Sequence, residues 1–185
     1  SRRQRQMCIR DRYYNYDRID FVDSPVDLGF ECPLDLHCTY SRDQILAALD
    51  FMKPGTVREG TKYLLDKKTD VHFVTLNKAE KDYSPTTMYE DYSINEVLFH
   101  WQSQSTTSQS STTGQRYMNH RSMGVRELLF VREFKSGKLG AALYTFLGLA
   151  DFLSVNGSKP MNITWRLHEP IPAKYLRKTN KLVVG

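Results

Sequence analysis

Along most of the chain, apolar residues alternate with polar ones in short segments, a pattern typical of strands with one buried face. Leu34, Leu36 and Cys38 alternate in the first segment, and Ile163, Trp165 and Leu167 alternate in the last. Polar stretches rich in turn-forming residues separate the segments. The predicted strands are residues 34–40, 61–65, 71–76, 95–104, 126–134, 142–155 and 161–171, with a bend at Gly148 in the sixth.

One segment has a helical period instead. Ser41 and Gln44 have the spacing of a capping box, in which each side chain satisfies a free backbone N–H at the start of a helix. Pro54 and Gly55 follow as stop signals. Together with the apolar residues between them, these signals predict a helix over residues 42–52, whose apolar face is Ile45, Leu49 and Met52.

Three other stretches have weaker patterns. Residues 105–114 are all Ser, Thr, Gln or Gly, which predicts a mobile loop because nothing in it can be buried. Residues 116–124 fit a short helix or turn, and residues 172–180 fit a terminal helical turn. Because no long helix joins two strands, the sheet is expected to be mostly antiparallel. The predicted fold is α+β and mainly β: one N-terminal helix with six or seven strands in a curled sheet or small barrel.

The pattern also divides the chain. Residues 1–12 have no apolar period, and "MCIRDR" resembles a translated sequencing-adapter remnant, so we interpret them as a non-native tail on a fragment of a longer protein. Residues 13–31 mix aromatic residues with aspartates and are interpreted as a connector. Residues 32–185 are then a single domain, and their length is sufficient for one hydrophobic core.

Composition narrows the class of protein. Hydrophobic residues make up 40% of the chain and charged residues 25%, as in ordinary soluble proteins. No apolar run approaches the ~20 residues of a membrane span, and no secretory signal is recognisable, so a cytoplasmic protein without membrane contact is expected. The charge is divided: residues 13–100 carry 9 basic and 16 acidic side chains, whereas residues 101–185 carry 12 basic and 4 acidic ones. This asymmetry favours a polyanion partner, unless the two halves neutralise each other in the fold.

The usual chemical motifs are missing. The three cysteines, Cys8, Cys32 and Cys38, have neither the spacing of a disulfide framework nor that of a zinc site. The sequence contains no phosphate-binding glycine-rich motif and no nucleophile elbow. The five histidines lie in different elements without a local carboxylate pattern. We therefore expect no catalytic residue, no metal and no cofactor in this chain.

Candidate binding residues cluster around the aromatic strand and the polar tract after it. Trp101 could stack on a base or could belong to the core with Phe99, with which it shares a face. Gln102 and Ser103 could read a base edge, and arginines that follow could contact phosphates. The predicted DNA-binding residues are His100, Trp101, Gln102, Ser103, Arg116, His120, Arg121 and Arg132.

Several runs carry a family resemblance. "PVDLGFECPLDLHCTYSRDQILAALDFM", "KTDVHFVTLNKAEKDYSPTTMYEDYSINEVLFHWQSQSTT" and "PIPAKYLRKTNKLVVG", with the shorter "GQRYMNH", "LLFVREF", "YTFLG" and "WRL", lie within residues 16–185. Together they resemble an uncharacterised domain at the C-terminus of bacterial superfamily 2 DEAD/DEAH-type helicases, often with a phospholipase-D-like nuclease at the front.

The resemblance implies a function. Some members resemble type IV restriction enzymes that cut DNA carrying modified cytosine, which implies a target-recognition domain with a PUA-like or SRA-like barrel. DNA, methylated or not, and the helicase and nuclease domains of the parent chain are the implied partners. One alternative is a structural or interaction module that couples the helicase motor to the nuclease or forms a homodimer. Another is a catalytic domain in its own right, which would need a pocket with at least two converging titratable groups. A DNA-binding domain should show a basic cleft, and a coupling module an exposed apolar patch.

Overall fold

The computed structural model describes residues 26–77, 91–137 and 140–179. The tail 1–12 and residues 13–25 of the connector lie outside them. The helices are α1 (Arg42–Ala48), α2 (Thr112–Asn119) and α3 (Ala173–Thr179), with a 3₁₀ turn at Pro54–Thr56. The strands are β1 (Thr39–Tyr40), β2 (Thr61–Leu64), β3 (Thr69–Asn77), β4 (Tyr92–Ser93), β5 (Leu98–Gln102), β6 (Arg126–Phe134), β7 (Ser136–Gly137), β8 (Gly140–Ala141), β9 (Tyr144–Asn156) and β10 (Asn162–Leu167).

Eight strands form one mixed, open sheet in the order β2-β3-β6-β9-β10-β5-β4, with β1 added beside part of β9. The predicted class, α+β and mainly β, is confirmed. The predicted closure into a barrel is wrong for the described residues, which form an open sheet. The predicted number of strands was too low because four of the strands have only two residues each. The sheet nevertheless curls. His72 of β3 and Trp101 of β5 are separated by three strands in the sheet, yet their ring centroids are 4.7 Å apart.

One strand pair departs from the antiparallel expectation. β3 and β6 are parallel, with Val71 opposite Leu128 and Phe73 opposite Phe130. The long connection that a parallel pair requires does exist between Asn77 and Arg126, and it contains β4, β5 and α2. Because this crossover is made of strands and a short helix, the sequence contains no long helical pattern between β3 and β6 that would indicate a parallel pair.

The first helix begins where the sequence predicts and ends earlier. The Ser41 side chain accepts from the Gln44 backbone N–H at 3.2 Å, and the Gln44 side chain accepts from the Ser41 N–H at 2.8 Å, so the capping box is confirmed. The helix ends at Ala48 because Asp50 adopts a positive φ of 58° and the Phe51 N–H bonds back to the Leu46 carbonyl. This is a Schellman ending with aspartate where glycine is usual, and it leaves Met52 exposed rather than packed.

Both faces of the sheet are buried. In β3, Val71 and Phe73 face a cluster covered by α1, whereas Val74 faces a second cluster that includes Trp101 and Trp165. The last connector residues join the first cluster, where Leu28 is buried. Strands buried on both faces lack a clean alternation, and for this reason the central strands have continuous apolar runs.

The polar tract 105–114 is a hydrogen-bonded turn rather than the predicted loop without contacts. Thr107 is buried, and its carbonyl accepts from the Lys159 N–H at 3.0 Å. The Ser111 side chain caps α2 by accepting from the Gly114 N–H at 3.1 Å. Hydroxyl and amide side chains bond readily to nearby backbone, so a tract without apolar residues still acquires fixed partners.

The bend predicted at Gly148 is confirmed. Gly148 has a φ of 87°, and the pairing of β9 with β6 shifts between Leu129 and Phe130. No helix in the described part of the chain has the length and hydropathy that a bilayer span requires.

Candidate nucleic-acid interface

A cleft of about 210 Å³ lies beside the start of β2, near the place where the curled sheet brings β5 close to β3. One wall comes from α1, the turn before β2, and the strands β3, β6 and β9; its residues include Arg42, Arg58, Thr61, Phe73, Arg132 and Tyr144. The other wall comes from the end of β5 and its flanks: Asp91, Trp101, Gln102 and Gln104. Among the described residues that line the cleft, Asp91 is the one carboxylate.

Arg42 is held in the cleft by neutral groups. It is the first residue of α1, so the Ser41 cap fixes the backbone from which its side chain extends. Its guanidinium lies over the Phe73 ring at 4.6 Å and donates to the Val57 carbonyl at 2.9 Å and to the Tyr144 hydroxyl at 3.4 Å. These contacts orient the side chain and leave its charge uncompensated.

Arg132 enters from β6, directly opposite Thr75 of β3. Its Nε donates to the Thr75 hydroxyl at 2.9 Å, and its guanidinium lies 4.5 Å from the centroid of the Tyr144 ring. Tyr144 is therefore contacted by two guanidinium groups, one at its hydroxyl and one over its ring. Such an arrangement concentrates positive potential in one place.

Arg58 completes the basic set at the rim. It follows the Pro54–Thr56 turn, is exposed, and forms no ion pair with the described residues. Next to it, Glu59 accepts from the Gln104 side chain at 2.7 Å, which ties the two walls together across the space between β2 and β5.

The opposite wall offers amide groups. Gln102 donates from its side chain to Asn162 at 2.7 Å, and its backbone N–H donates to Asp91 at 2.8 Å. Gln104 stands two residues further on, at the cleft mouth. Amide side chains fixed in this way are suited to hydrogen bonding with a base edge.

A buried polar cluster lies next to the cleft, behind Trp101. His72 Nε2 is 2.6 Å from Glu127 Oε2, and both side chains are fully buried. Trp101, Tyr117 and Trp165 surround the imidazole, with ring centroids 4.7–5.5 Å away. Burial lowers the pKa of His72 to about 3, and burial together with nearby Asp70 raises the pKa of Glu127 well above its ordinary value. We therefore assign a neutral carboxylic acid that donates to a neutral imidazole.

An ion pair flanks this cluster. Arg116 of α2 donates from Nε and Nη2 to the two carboxylate oxygens of Asp70 at 2.6 and 3.0 Å, and its guanidinium stacks 4.0 Å from the Tyr63 ring centroid. Burial raises the pKa of Asp70, and the bonded guanidinium opposes that shift. Both side chains are largely inaccessible, so the pair fixes α2 onto β3 and is not positioned to contact a ligand.

The structure brings three of the predicted site residues to the cleft. Gln102 and Arg132 line it, and Trp101 forms part of its wall while only 5% exposed, so Trp101 is a core residue with an edge at the site. Arg116 lies elsewhere, bound to Asp70. The remaining four residues also lie elsewhere: His100, Ser103, His120 and Arg121.

These four have structural contacts. His100 stacks on Tyr92 with centroids 4.8 Å apart, and the buried Ser103 hydroxyl accepts from the Met161 N–H at 2.8 Å. His120 accepts from the Phe152 N–H at Nε2, which leaves Nδ1 to donate to the Val125 carbonyl. Arg121 is exposed and donates to the Phe152 carbonyl at 3.0 Å.

Sequence reasoning missed Arg42 and Arg58. Both lie in residues 13–100, the acidic half of the chain, so an argument from regional charge pointed away from them. The capping box at Ser41 was a local signal for Arg42. It fixes where the helix starts and therefore the direction in which the side chain of the first helical residue extends. Nothing in the sequence indicates that Arg58 and Arg132 line the same cleft, since that depends on how β2, β3 and β6 pair in the sheet.

A second concavity, of about 300 Å³, is more apolar. It lies where β6, β9 and α3 meet and is lined by Leu76, Val131, Phe134, Leu143, Leu147 and Tyr175, among others. Phe134 and Leu143 are each about half exposed. Within the described ranges, no group of three or more His, Cys, Asp or Glu side chains is arranged to hold a metal ion.

The family of the chain follows from a comparison with known protein families. No curated protein matches the chain. A family model described as a domain of unknown function, DUF3427, matches residues 34–178, which contain both walls of the cleft and the buried polar cluster. The chain therefore belongs to the DUF3427 family of domains.

Proposed function

We propose that this domain binds DNA through the arginine-lined cleft and serves as the target-recognition part of a larger helicase or restriction enzyme. The observation that carries the proposal is the convergence of Arg42, Arg58 and Arg132 from three separate elements on one cleft. Arginines that contact phosphate supply most of the affinity of a protein for DNA.

The state of two of these arginines strengthens the argument. Arg42 has only neutral hydrogen-bond partners, and Arg58 is exposed without an ion pair among the described residues. Arg116 gives the contrast within the same chain, because Asp70 neutralises it. Arg42 has no such carboxylate partner, so its charge remains available for a phosphate.

The finer form of the proposal concerns what is recognised. Gln102 and Gln104 line the cleft opposite the arginines, and this supports the proposal because amides are a group that hydrogen-bonds to bases and guanidiniums a group that binds phosphate. Recognition of modified cytosine, and a parent chain with a helicase motor and a nuclease, are proposed from the sequence resemblance described above.

The salt dependence of binding tests the proposal. The affinity of the domain for a fluorescent duplex is measured by anisotropy over a range of salt concentrations. Each phosphate that is neutralised contributes about −0.9 to the slope of log K against log salt. Arg58→Ala should weaken binding to every duplex and flatten the slope by about 0.9. Arg166→Ala is the matched control, since Arg166 is exposed on β10 away from the cleft.

Base recognition needs a separate comparison. Gln102→Ala should reduce any preference for methylcytosine-containing over plain duplex by about 1–3 kcal/mol and leave the salt slope unchanged. Circular dichroism must first show that this variant is folded, because Gln102 also bonds to Asn162. If the folded wild-type domain binds neither duplex, single-stranded nor modified DNA above background at low salt, the proposal is wrong.

The apolar concavity supports a second candidate, a module that couples the motor to the nuclease or forms a dimer. Phe134 and Leu143 expose apolar surface beside it, as a protein interface would require. Sedimentation equilibrium of the wild type and of Leu143→Asp tests self-association. A concentration-dependent mass that the substitution abolishes would favour this candidate, and a monomer at all concentrations would count against a dimer.

A further inference from the structure

We infer that the cleft holds a single phosphate group and accepts nucleic acid one nucleotide at a time. The inference rests on the proposed function and specifies which part of the ligand enters. It predicts that the ligand is a nucleotide of a single strand, at an end or displaced from a duplex, rather than the paired bases themselves.

The charge arrangement is the first support. Arg42 reaches the hydroxyl of Tyr144, and Arg132 covers the ring of the same residue, so two like charges are fixed beside one side chain. Phe73 lies against Tyr144 with centroids 5.3 Å apart and carries the Arg42 guanidinium on its face. Side chains immobilised on aromatic rings lose little further freedom when an anion binds between them.

The size of the cleft is the second support. Pockets for drug-sized ligands measure roughly 300–1,000 Å³, whereas this cleft measures about 210 Å³. A phosphate with part of its nucleotide matches that volume. A whole double helix is far too large to enter a space of about 210 Å³.

The hydrogen bond across the mouth is the third support. Gln104 and Glu59 join the two walls at 2.7 Å, which limits the width of whatever enters between Arg58 and Trp101. With the phosphate on the arginine wall, the attached sugar or base meets Trp101 and Gln102 on the other wall. One cleft therefore presents charge to the phosphate and an aromatic edge with an amide to the rest of the nucleotide.

The experiment uses ¹H–¹⁵N spectra of the whole chain, titrated separately with inorganic phosphate, deoxycytidine 5′-monophosphate and deoxycytidine. Phosphate and the monophosphate should shift the backbone signals of Gly60 and Thr61 and the side-chain signals of Arg42 and Arg132, and deoxycytidine alone should not. Arg58→Ala should weaken both phosphate-bearing ligands by about tenfold or more, as expected for loss of a charge-assisted hydrogen bond. Arg58→Lys should recover part of the affinity, and Arg166→Ala should match the wild type.

Further ligands show whether the phosphate that the cleft binds belongs to a nucleic acid or to a small molecule. A short single strand that binds the cleft more tightly than the monophosphate identifies nucleic acid as the source, and a blunt duplex of the same sequence should bind less well. If neither phosphate nor monophosphate shifts the cleft signals, the inference is overturned, even where DNA binds elsewhere on the domain. If both shift them but no oligonucleotide binds, the phosphate site stands, while the DNA proposal and the nucleic-acid source fail.

Discussion

His72 and Glu127 form a short contact of 2.6 Å between Nε2 and Oε2, with neither side chain accessible to solvent. Separated charges at such a site would incur a large desolvation cost, which a neutral hydrogen bond avoids. The Nδ1 atom of His72 and the Oε1 atom of Glu127 have no hydrogen-bond partner among the described residues. The nearby cation Arg116 opposes the rise in the Glu127 pKa, but its guanidinium is bound to the Asp70 carboxylate. The stability of the fold should therefore depend on both residues remaining neutral.

The first prediction concerns stability at neutral and alkaline pH. The pKa of Glu127 is raised above its ordinary value of 4.5 in the fold, so above pH 4.5 the folded state holds a proton that the unfolded state has released. Stability from this residue should fall as pH rises, by up to about 1.4 kcal/mol per pH unit, until pH passes the folded pKa. Glu127→Gln keeps a donor for His72 and cannot ionise. In urea denaturation between pH 5 and pH 8, the free energy of unfolding of Glu127→Gln should increase relative to that of the wild type as pH rises. If the two proteins instead show the same pH dependence, Glu127 is ionised in the fold.

The second prediction concerns acid. The pKa of His72 falls from 6.5 to about 3 on folding, so between these values the unfolded state binds a proton that the folded state does not. Stability from His72 should therefore fall as pH decreases from 6.5 to 3, by up to about 1.4 kcal/mol per unit. In the wild type, the contribution of Glu127 to stability increases as pH falls and opposes this loss. In the Glu127→Gln variant, the loss of stability from His72 should therefore be seen alone. A denaturation midpoint of the variant that stays constant from pH 6.5 to pH 4 would contradict the assignment.

The third prediction separates Arg116 from DNA binding. Removing one partner of a buried ion pair leaves an unpaired charge, so Arg116→Ala should destabilise the domain by about 3–5 kcal/mol. The double variant Arg116→Ala with Asp70→Ala should cost less than the sum of the two single changes, since it leaves no buried charge. Chemical denaturation of the three variants gives the coupling energy. Additive losses would show that the pair does not stabilise the fold, and Arg116 would again be a candidate for phosphate contact.

Local signals in the sequence predicted local structure well. The capping box placed the start of α1, and the apolar run of residues 126–134 coincides with β6. The end of α1 was misplaced because Asp50 adopts the left-handed conformation that usually indicates glycine. Aspartate tolerates that conformation through its short polar side chain, and a rule that waits for glycine does not detect it.

The site was predictable only in part, because it depends on contacts between distant segments. The aromatic strand led to Trp101 and Gln102, which the structure places on the cleft wall, and their role in binding stays a prediction. In the sequence, Arg116 and Arg132 are equally plausible phosphate-binding residues, because both lie in the basic half of the chain. Arg116 is a structural residue because it pairs with Asp70, 46 residues earlier. No periodicity reveals which arginine faces a carboxylate, so charge counting alone cannot separate binding residues from structural ones.

The fourth prediction tests the cap that positions Arg42. Ser41→Ala should destabilise the domain by about 1 kcal/mol through loss of the N-cap. Ser41→Asp should retain most of the stability, because its carboxylate can accept the same N–H bond. Denaturation measures both changes. If phosphate binds at the cleft, Ser41→Ala should also weaken it, since the cap holds the first turn from which Arg42 extends.

The last prediction concerns Gly114, where helix propensity and packing oppose each other. Gly114 lies inside α2, where alanine would favour the helix by up to about 1 kcal/mol in an exposed position. A methyl group here would, however, collide with the backbone carbonyl of Ser108 and lie 2.9 Å from Met161 Sδ. Because backbone must move, Gly114→Ala should cost about 1–3 kcal/mol or more. Gly55→Ala is the matched control, since nothing lies within 4 Å of its added methyl. Thermal and urea denaturation should show a clear loss for Gly114→Ala and little change for Gly55→Ala. A stabilised Gly114→Ala variant would mean that the Ser108 backbone does not lie against Gly114 as described.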